Sequence, residues 1–186
     1  MKGKGYDEIN SFAGLSHIAR YGMLAFLIHR YGWRRGAELG VAAGTTSDYL
    51  LETFPFLHLT GVDSFVSGNR SKAQEVYARH APRATLLVMP THEASKAIPD
   101  ESLDFAFIDA DHSYEADRLD IENWMPKVKP HGMLLGHDYV ERYDGVIRAV
   151  NEAFGGQHHI WPKTIWGVRP SDVQAGYSRQ EKVSGA

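Results

Sequence analysis

Ala37-Glu38-Leu39-Gly40-Val41-Ala42-Ala43-Gly44 carries a short apolar run into a corner with two glycines, and this octet decides the fold. Residues 36–41 are too few for a helix and begin at glycine, as short buried strands do. Residues 46–54, which follow, read as a helix. Gly40 and Gly44 stand where the backbone must turn and let a ligand approach closely. Strand, glycine corner and helix in that order make the first half of a βαβ unit.

Outward from this corner the same alternation repeats. Short apolar runs at 57–63, 84–89, 103–109 and 133–136 read as strands, each bounded by Gly, Pro or Asp. Helix-like stretches at 69–80, 92–98, 116–128 and 145–154 fill the gaps. Strands that are apolar throughout suit a parallel sheet covered on both faces. Upstream, 15–31 reads as a helix with an apolar face of Leu15, Ile18, Leu24, Leu27 and Ile28, closed by Gly32. Downstream, Gly155-Gly156 sets off two aromatic runs, 158–161 and 164–168, with Pro162-Lys163 as the turn of an antiparallel hairpin. His158 and His159 belong to that hairpin, and Trp161 and Trp166 are read as core. The expected fold class is α/β and Rossmann-like: a mostly parallel seven-stranded sheet, helices on both faces, and an antiparallel C-terminal hairpin. A single domain covers residues 1–170, and 171–186 form a polar, frayed tail.

Composition excludes several classes. The 186 residues, 43% of them hydrophobic, suffice for one core. A net charge of −3 offers no basic footprint, so nucleic acid is not an expected partner. Without cysteine there is no disulfide, thiolate metal site or cysteine nucleophile. The opening MKGKGYDEIN lacks the apolar core of a signal peptide, and the run from Met23 to Ile28 is too short to span a bilayer. A cytoplasmic protein with no membrane partner is expected.

Ligands of open α/β sheets bind beyond the carboxyl ends of the strands. The G-x-G-x-x-G fingerprint of dinucleotide sites fails here, because Ala42 and Thr45 stand where its second and third glycines would fall. What is left is acidic-x-Gly-x-x-x-Gly, starting at Glu38. Asp63 ends the second strand, 19 residues after Gly44, where a carboxylate can accept both ribose hydroxyls of a nucleoside. The plainer readings are a strand–turn–helix corner, a strand-end cap at Asp63, and an N-cap at Thr91.

Three further stretches go with this corner: Ile108-Asp109-Ala110-Asp111-His112-Ser113-Tyr114-Glu115, the turn Lys129-Pro130-His131-Gly132, and Gly136-His137-Asp138-Tyr139. Together, over residues 37–154, they resemble the class I S-adenosylmethionine-dependent methyltransferases. The likeness is to the small-molecule O-methyltransferase branch, with its catechol, caffeoyl-CoA and macrolide-sugar enzymes. The resemblance implies S-adenosylmethionine as cofactor, contacted by Glu38, Gly40, Ala42, Gly44, Asp63, Ser64, Thr91, His92 and Asp109. It also implies a metal position at Asp109, His137 and Asp138, for magnesium or another divalent ion. His137 stands where metal-dependent relatives carry a carboxylate, which leaves a softer metal and no metal both open.

Methyl transfer from a sulfonium chiefly requires alignment and exclusion of water. A phenol can be ionised by a metal or base, whereas a sugar hydroxyl needs a base in contact. Asp109 and His112, three residues apart, are the catalytic candidates, with His112 as the base and ordering of its own loop as the alternative for His112. No Asn/Asp-Pro-Pro-Tyr/Phe stretch of the amine-methylating enzymes is present, so the expected acceptor is a small hydroxylated molecule, a phenol or a sugar. Loops 65–72 and 139–144 are expected at its entrance. Two other functions stay open: a non-catalytic cofactor-binding module, and an NAD-dependent oxidoreductase, which lacks an obvious Ser/Tyr-x-x-x-Lys pair here. The apolar face of the 15–31 helix suggests a homodimer.

Overall fold

The computed structural model describes residues 20–173. In chain order these form α1 (Arg20–Tyr31), β1 (Arg35–Leu39), α2 (Thr45–Thr53), β2 (His58–Val62), α3 (Arg70–Arg79) and β3 (Ala84–Leu87). There follow the short α4 (Thr91–Ala94), β4 (Leu103–Ile108), α5 (Tyr114–Trp124), β5 (Val128–Gly136), α6 (Asp144–Phe154), β6 (His159–Trp161) and β7 (Ile165–Val168). The strands build one seven-stranded sheet in the order β3-β2-β1-β4-β5-β7-β6. The pairs β1/β2, β1/β4, β2/β3 and β4/β5 are parallel, and β7 runs antiparallel to β5 and β6. This is the Rossmann-like sheet expected from the alternation. Chain order moves outward from β1 to β3, then returns to β4 on the other side of β1. The switch opens a crevice at the carboxyl ends of β1 and β4.

Neighbouring residues of the central strands point to opposite faces, and both faces are covered. Ala106, Ile108 and Leu134 pack with Ile121, Trp124, Val146 and Val150 under α5 and α6. Phe105, Phe107, Met133 and Leu135 pack with Leu24, Leu27, Ile28, Leu50 and Leu51 under α1 and α2. A smaller cluster of Val41, Ala73, Val76 and Tyr77 seats α3. Trp161 and Trp166 are buried, as their core reading expects. Among the described residues no helix is long and apolar enough to cross a membrane.

Several boundaries differ from expectation. Leu15 and Ile18 of the first helix, and residues 174–186 of the tail, lie outside the described residues. Met23, Leu24, Leu27 and Ile28 are at most 2% exposed, packed against the chain's own sheet. The helix expected over 116–128 stops at Trp124 and tightens into a 3-10 turn, Met125–Lys127, where Pro126 supplies no amide.

Lys129-Pro130-His131-Gly132, read as a turn, is instead a bulge inside β5. Leu103 pairs with Val128 and Phe105 with Met133, so residues 129–132 bulge opposite Asp104. The Asp104 carboxylate holds this irregularity, accepting from Lys129 Nζ at 2.7 Å and from the Arg34 and Arg35 amides at 2.7 and 2.9 Å. A Cβ on Gly132 would lie 2.4 Å from the Asp104 carbonyl oxygen, so only glycine fits.

Candidate active site

The corner after β1 is shaped by its backbone. Gly40, Ala42 and Gly44 take φ of 88°, 48° and 82°, all left-handed. A Cβ on Gly40 would lie 2.0 Å from the Asp109 carbonyl oxygen, so the end of β4 closes against this glycine. Asp63 ties the corner to β2. Its Oδ2 accepts the amides of Val41 at 2.9 Å and Ala42 at 2.8 Å, and its Oδ1 accepts that of Phe65 at 2.5 Å. A carboxylate offers about four acceptor positions. Three amides leave about one for a ligand hydroxyl, where the sequence reading has two. Ser64 beside it is exposed.

Glu38 is turned into the protein, 3% exposed. The Ser47 hydroxyl donates to its Oε2, and Ser47 Oγ lies 2.7 Å from Tyr77 Oη. Tyr77 reaches this point over Gly61, where a Cβ would fall 2.0 Å from the phenol oxygen. Burial pushes the Glu38 carboxyl up to about 8, against the weaker pull of Ser47, so it is protonated at neutral pH.

Past β3, Pro90 and not Thr91 is the N-cap of α4. The Thr91 hydroxyl donates to Asp120 Oδ1 at 2.5 Å, and Trp124 Nε1 donates to the Thr91 carbonyl at 3.2 Å. His92 is half-exposed, its Nε2 4.0 Å from Glu93. Burial raises Asp120 to about 6 and its neighbour Asp117 to about 7.

β4 and β5 are adjacent, so Asp109 and the pair His137-Asp138 emerge side by side. The His137 amide donates to the Ile108 carbonyl at 3.0 Å, which sets this register. His137 Nδ1 lies 3.4 Å from Asp109 Oδ1 and 3.1 Å from Asp138 Oδ1. One donor atom from each of the three residues falls within 4.8 Å of the others. Two carboxylates and an imidazole at this spacing fit a divalent cation.

His112 reaches the same cluster from the loop before α5. Its Nε2 is 2.6 Å from Asp138 Oδ2 and 3.8 Å from Asp109 Oδ1, and its ring stacks on Tyr143 with centroids 4.6 Å apart. Nε2 is buried and makes no aligned hydrogen bond, so the Asp138 contact is one of charge. Asp109 first, and Asp138 with it, raise the His112 pKa against the effect of burial, although Asp138 is the nearer carboxylate. His137 is raised as well, burial being outweighed by Asp109 and Asp138. Burial would raise Asp109, but His112, His137 and Arg20 together hold it below the usual carboxylate range.

The sequence reading missed Arg20. From α1 its Nη1 lies 2.9 Å from Asp109 Oδ2, and no local pattern around residue 20 marks it. It also missed the Tyr143 stack and the Ser47–Tyr77 support of Glu38. A second trio, Asp48, Glu52 and His80, could also hold an ion. Asp48 there already accepts from His80 and Arg79, which gives it a structural role.

A family model described as a methyltransferase domain matches residues 37–139, more than half of the chain. The chain belongs to this methyltransferase family. The methyltransferase is 40% identical to an uncharacterized protein of Sinorhizobium fredii over 53 residues, 28% of this chain, and spans 6% of that relative's length. A Staphylococcus aureus protein assigned as a caffeoyl-CoA O-methyltransferase superposes with a TM-score of 0.66 at 14% identity, covering 90% of this chain and 93% of that one. An O-methyltransferase from Bacillus cereus in complex with SAH (S-adenosylhomocysteine) gives 0.62 at 15% identity, covering 88% and 89%. At such identities the likeness is one of fold. Family membership removes the NAD-dependent oxidoreductase from the alternatives.

Proposed function

We propose that this methyltransferase transfers the methyl group of S-adenosylmethionine to a hydroxyl oxygen of a small molecule, a phenol or a sugar. The reading is carried by one juxtaposition. His112 sits against Asp138 and beside Asp109, one strand away from the glycine corner at Gly40. Gly40, Ala42 and Gly44 take the cofactor by backbone approach, and Asp63 accepts one ribose hydroxyl. Ser64, Thr91 and His92 border the nucleoside. The Thr91 hydroxyl is spent on Asp120, so Thr91 contributes its backbone and methyl. Glu38, buried and neutral, supports the corner from behind.

Bound at this corner, S-adenosylmethionine would supply its sulfonium methyl to the acceptor oxygen and leave as the thioether, the electron pair of the carbon–sulfur bond going to sulfur. The hydroxyl proton passes to His112. Because Nε2 is buried against Asp138, the accepting nitrogen is Nδ1, and Asp138 steadies the imidazolium that forms. A divalent ion held by Asp109, His137 and Asp138 would lower the pKa of a bound hydroxyl. The mixed nitrogen and oxygen set favours manganese or zinc over magnesium.

The test is calorimetric titration with S-adenosylhomocysteine, with and without divalent ion and against NAD, followed by methyl-transfer assays on phenols and sugars. Binding of S-adenosylhomocysteine but not NAD, and transfer to a hydroxyl, is expected. Absence of binding overturns the cofactor reading. Binding without transfer to any hydroxyl leaves a non-catalytic module.

A further inference from the structure

Arg20 belongs to none of the elements that supply the expected metal ligands, yet it makes the closest charged contact of Asp109. Its Nη1 stands 2.9 Å from Asp109 Oδ2, and the Asp109 side chain is only 5% exposed. The other carboxylate oxygen, Oδ1, faces His137 Nδ1 at 3.4 Å. The two oxygens therefore have separate partners, one inside the cluster and one on α1. A guanidinium keeps its charge at any pH a folded protein tolerates. Asp109 and Asp138 bring two negative charges, enough to balance a divalent ion, and Arg20 already cancels one of them.

We propose that Arg20 is the site's own counter-cation, competing with divalent metal for Asp109 and so setting the metal affinity of the methyltransferase. The inference rests on the reading of Asp109, His137 and Asp138 as a metal site. While Arg20 holds Oδ2, Asp109 cannot grip an ion with both oxygens. An ion on Oδ1 must then share one carboxylate with a fixed positive charge, a repulsion that a half-buried site screens poorly. Metal loading and the α1–Asp109 contact oppose each other. Withdrawal of Arg20 favours the ion, and its return favours the metal-free state.

The experiment measures manganese binding to the full chain by electron paramagnetic resonance and calorimetry, with no activity readout. Arg20→Gln removes the charge and is expected to tighten manganese binding at least tenfold, about 1.4 kcal/mol. Arg20→Lys keeps the charge and stays near wild type. Adding Asp138→Ala to Arg20→Gln cancels the gain, which locates it at this site. Should Arg20→Gln fail to fold, Arg20→Met supplies a second neutral variant, and circular dichroism checks each protein. Equal manganese affinity in wild type and the neutral variants overturns the inference and leaves the metal site standing. No manganese binding by any variant at millimolar ion overturns both.

Discussion

The corner after β1 and the ends of β4 and β5 are neighbours in one crevice, but they are held by different forces. At the corner, shape comes from three left-handed residues and from three amides gathered on Asp63. At β4 and β5, charged side chains face one another, and His112 Nε2 and His137 Nδ1 make no aligned hydrogen bond. The first region is complete without a ligand. In the second, the side chains are set chiefly by opposite charges, with the His112 ring also stacked on Tyr143. Preorganised backbone suits the holding of a cofactor, whereas groups that change charge suit chemistry.

His112→Ala should separate the two regions most sharply. Turnover is expected to fall about 10²–10⁴-fold, with S-adenosylhomocysteine affinity within about twofold. Steady-state kinetics and calorimetry on the same preparation decide it, and a parallel loss of affinity would show that the halves act as one.

Gly40→Ala breaks the separation by design, since the new Cβ would strike the Asp109 carbonyl oxygen from a left-handed position. We expect a stability loss of about 3 kcal/mol or more together with loss of cofactor binding. An unchanged unfolding temperature would mean that the corner is softer than its geometry implies. Asp63→Ala should cost about 10–100-fold in S-adenosylhomocysteine affinity, with an unchanged circular dichroism spectrum and near-normal turnover at saturating cofactor. Unaltered affinity would confine Asp63 to clamping the corner.

The effect that is smallest at any one pH step, and that accumulates only across a pH range, concerns Glu38. Its carboxyl titrates at about 8 in the folded chain, against 4.5 as its ordinary value. Between these values the unfolded chain has lost a proton that the folded chain keeps, so stability falls as pH rises, by up to about 1.4 kcal/mol per unit. Glu38→Gln should remove this slope from urea unfolding between pH 5 and 8. Asp117 and Asp120, raised to about 7 and 6, contribute slopes of the same sign that remain. A slope as steep as that of wild type would place the titration elsewhere.

The residues that were legible beforehand are those whose position follows from local chain geometry. Gly40 and Gly44 mark a turn by residue type, and Asp109 and Asp138 end strands whose apolar runs are plain. Lys129-Pro130-His131-Gly132 misled because proline and glycine are turn formers. They sit inside a strand only because Asp104, on the next strand, absorbs the bulge. Thr91 had the residue type of a cap, yet its hydroxyl goes to Asp120, 29 positions away.

By itself the sequence determined the alternation of strands and helices, the glycine corner and the acidic strand ends, because backbone propensity and burial pattern act over a few residues. Tertiary structure alone decided that Arg20 meets Asp109, that Tyr77 supports Glu38 through Ser47, and that Tyr143 stacks on His112. Each of those contacts joins elements far apart in the chain. Their distances follow from how the helices lie across the sheet, which packing of the whole core sets and no local pattern encodes.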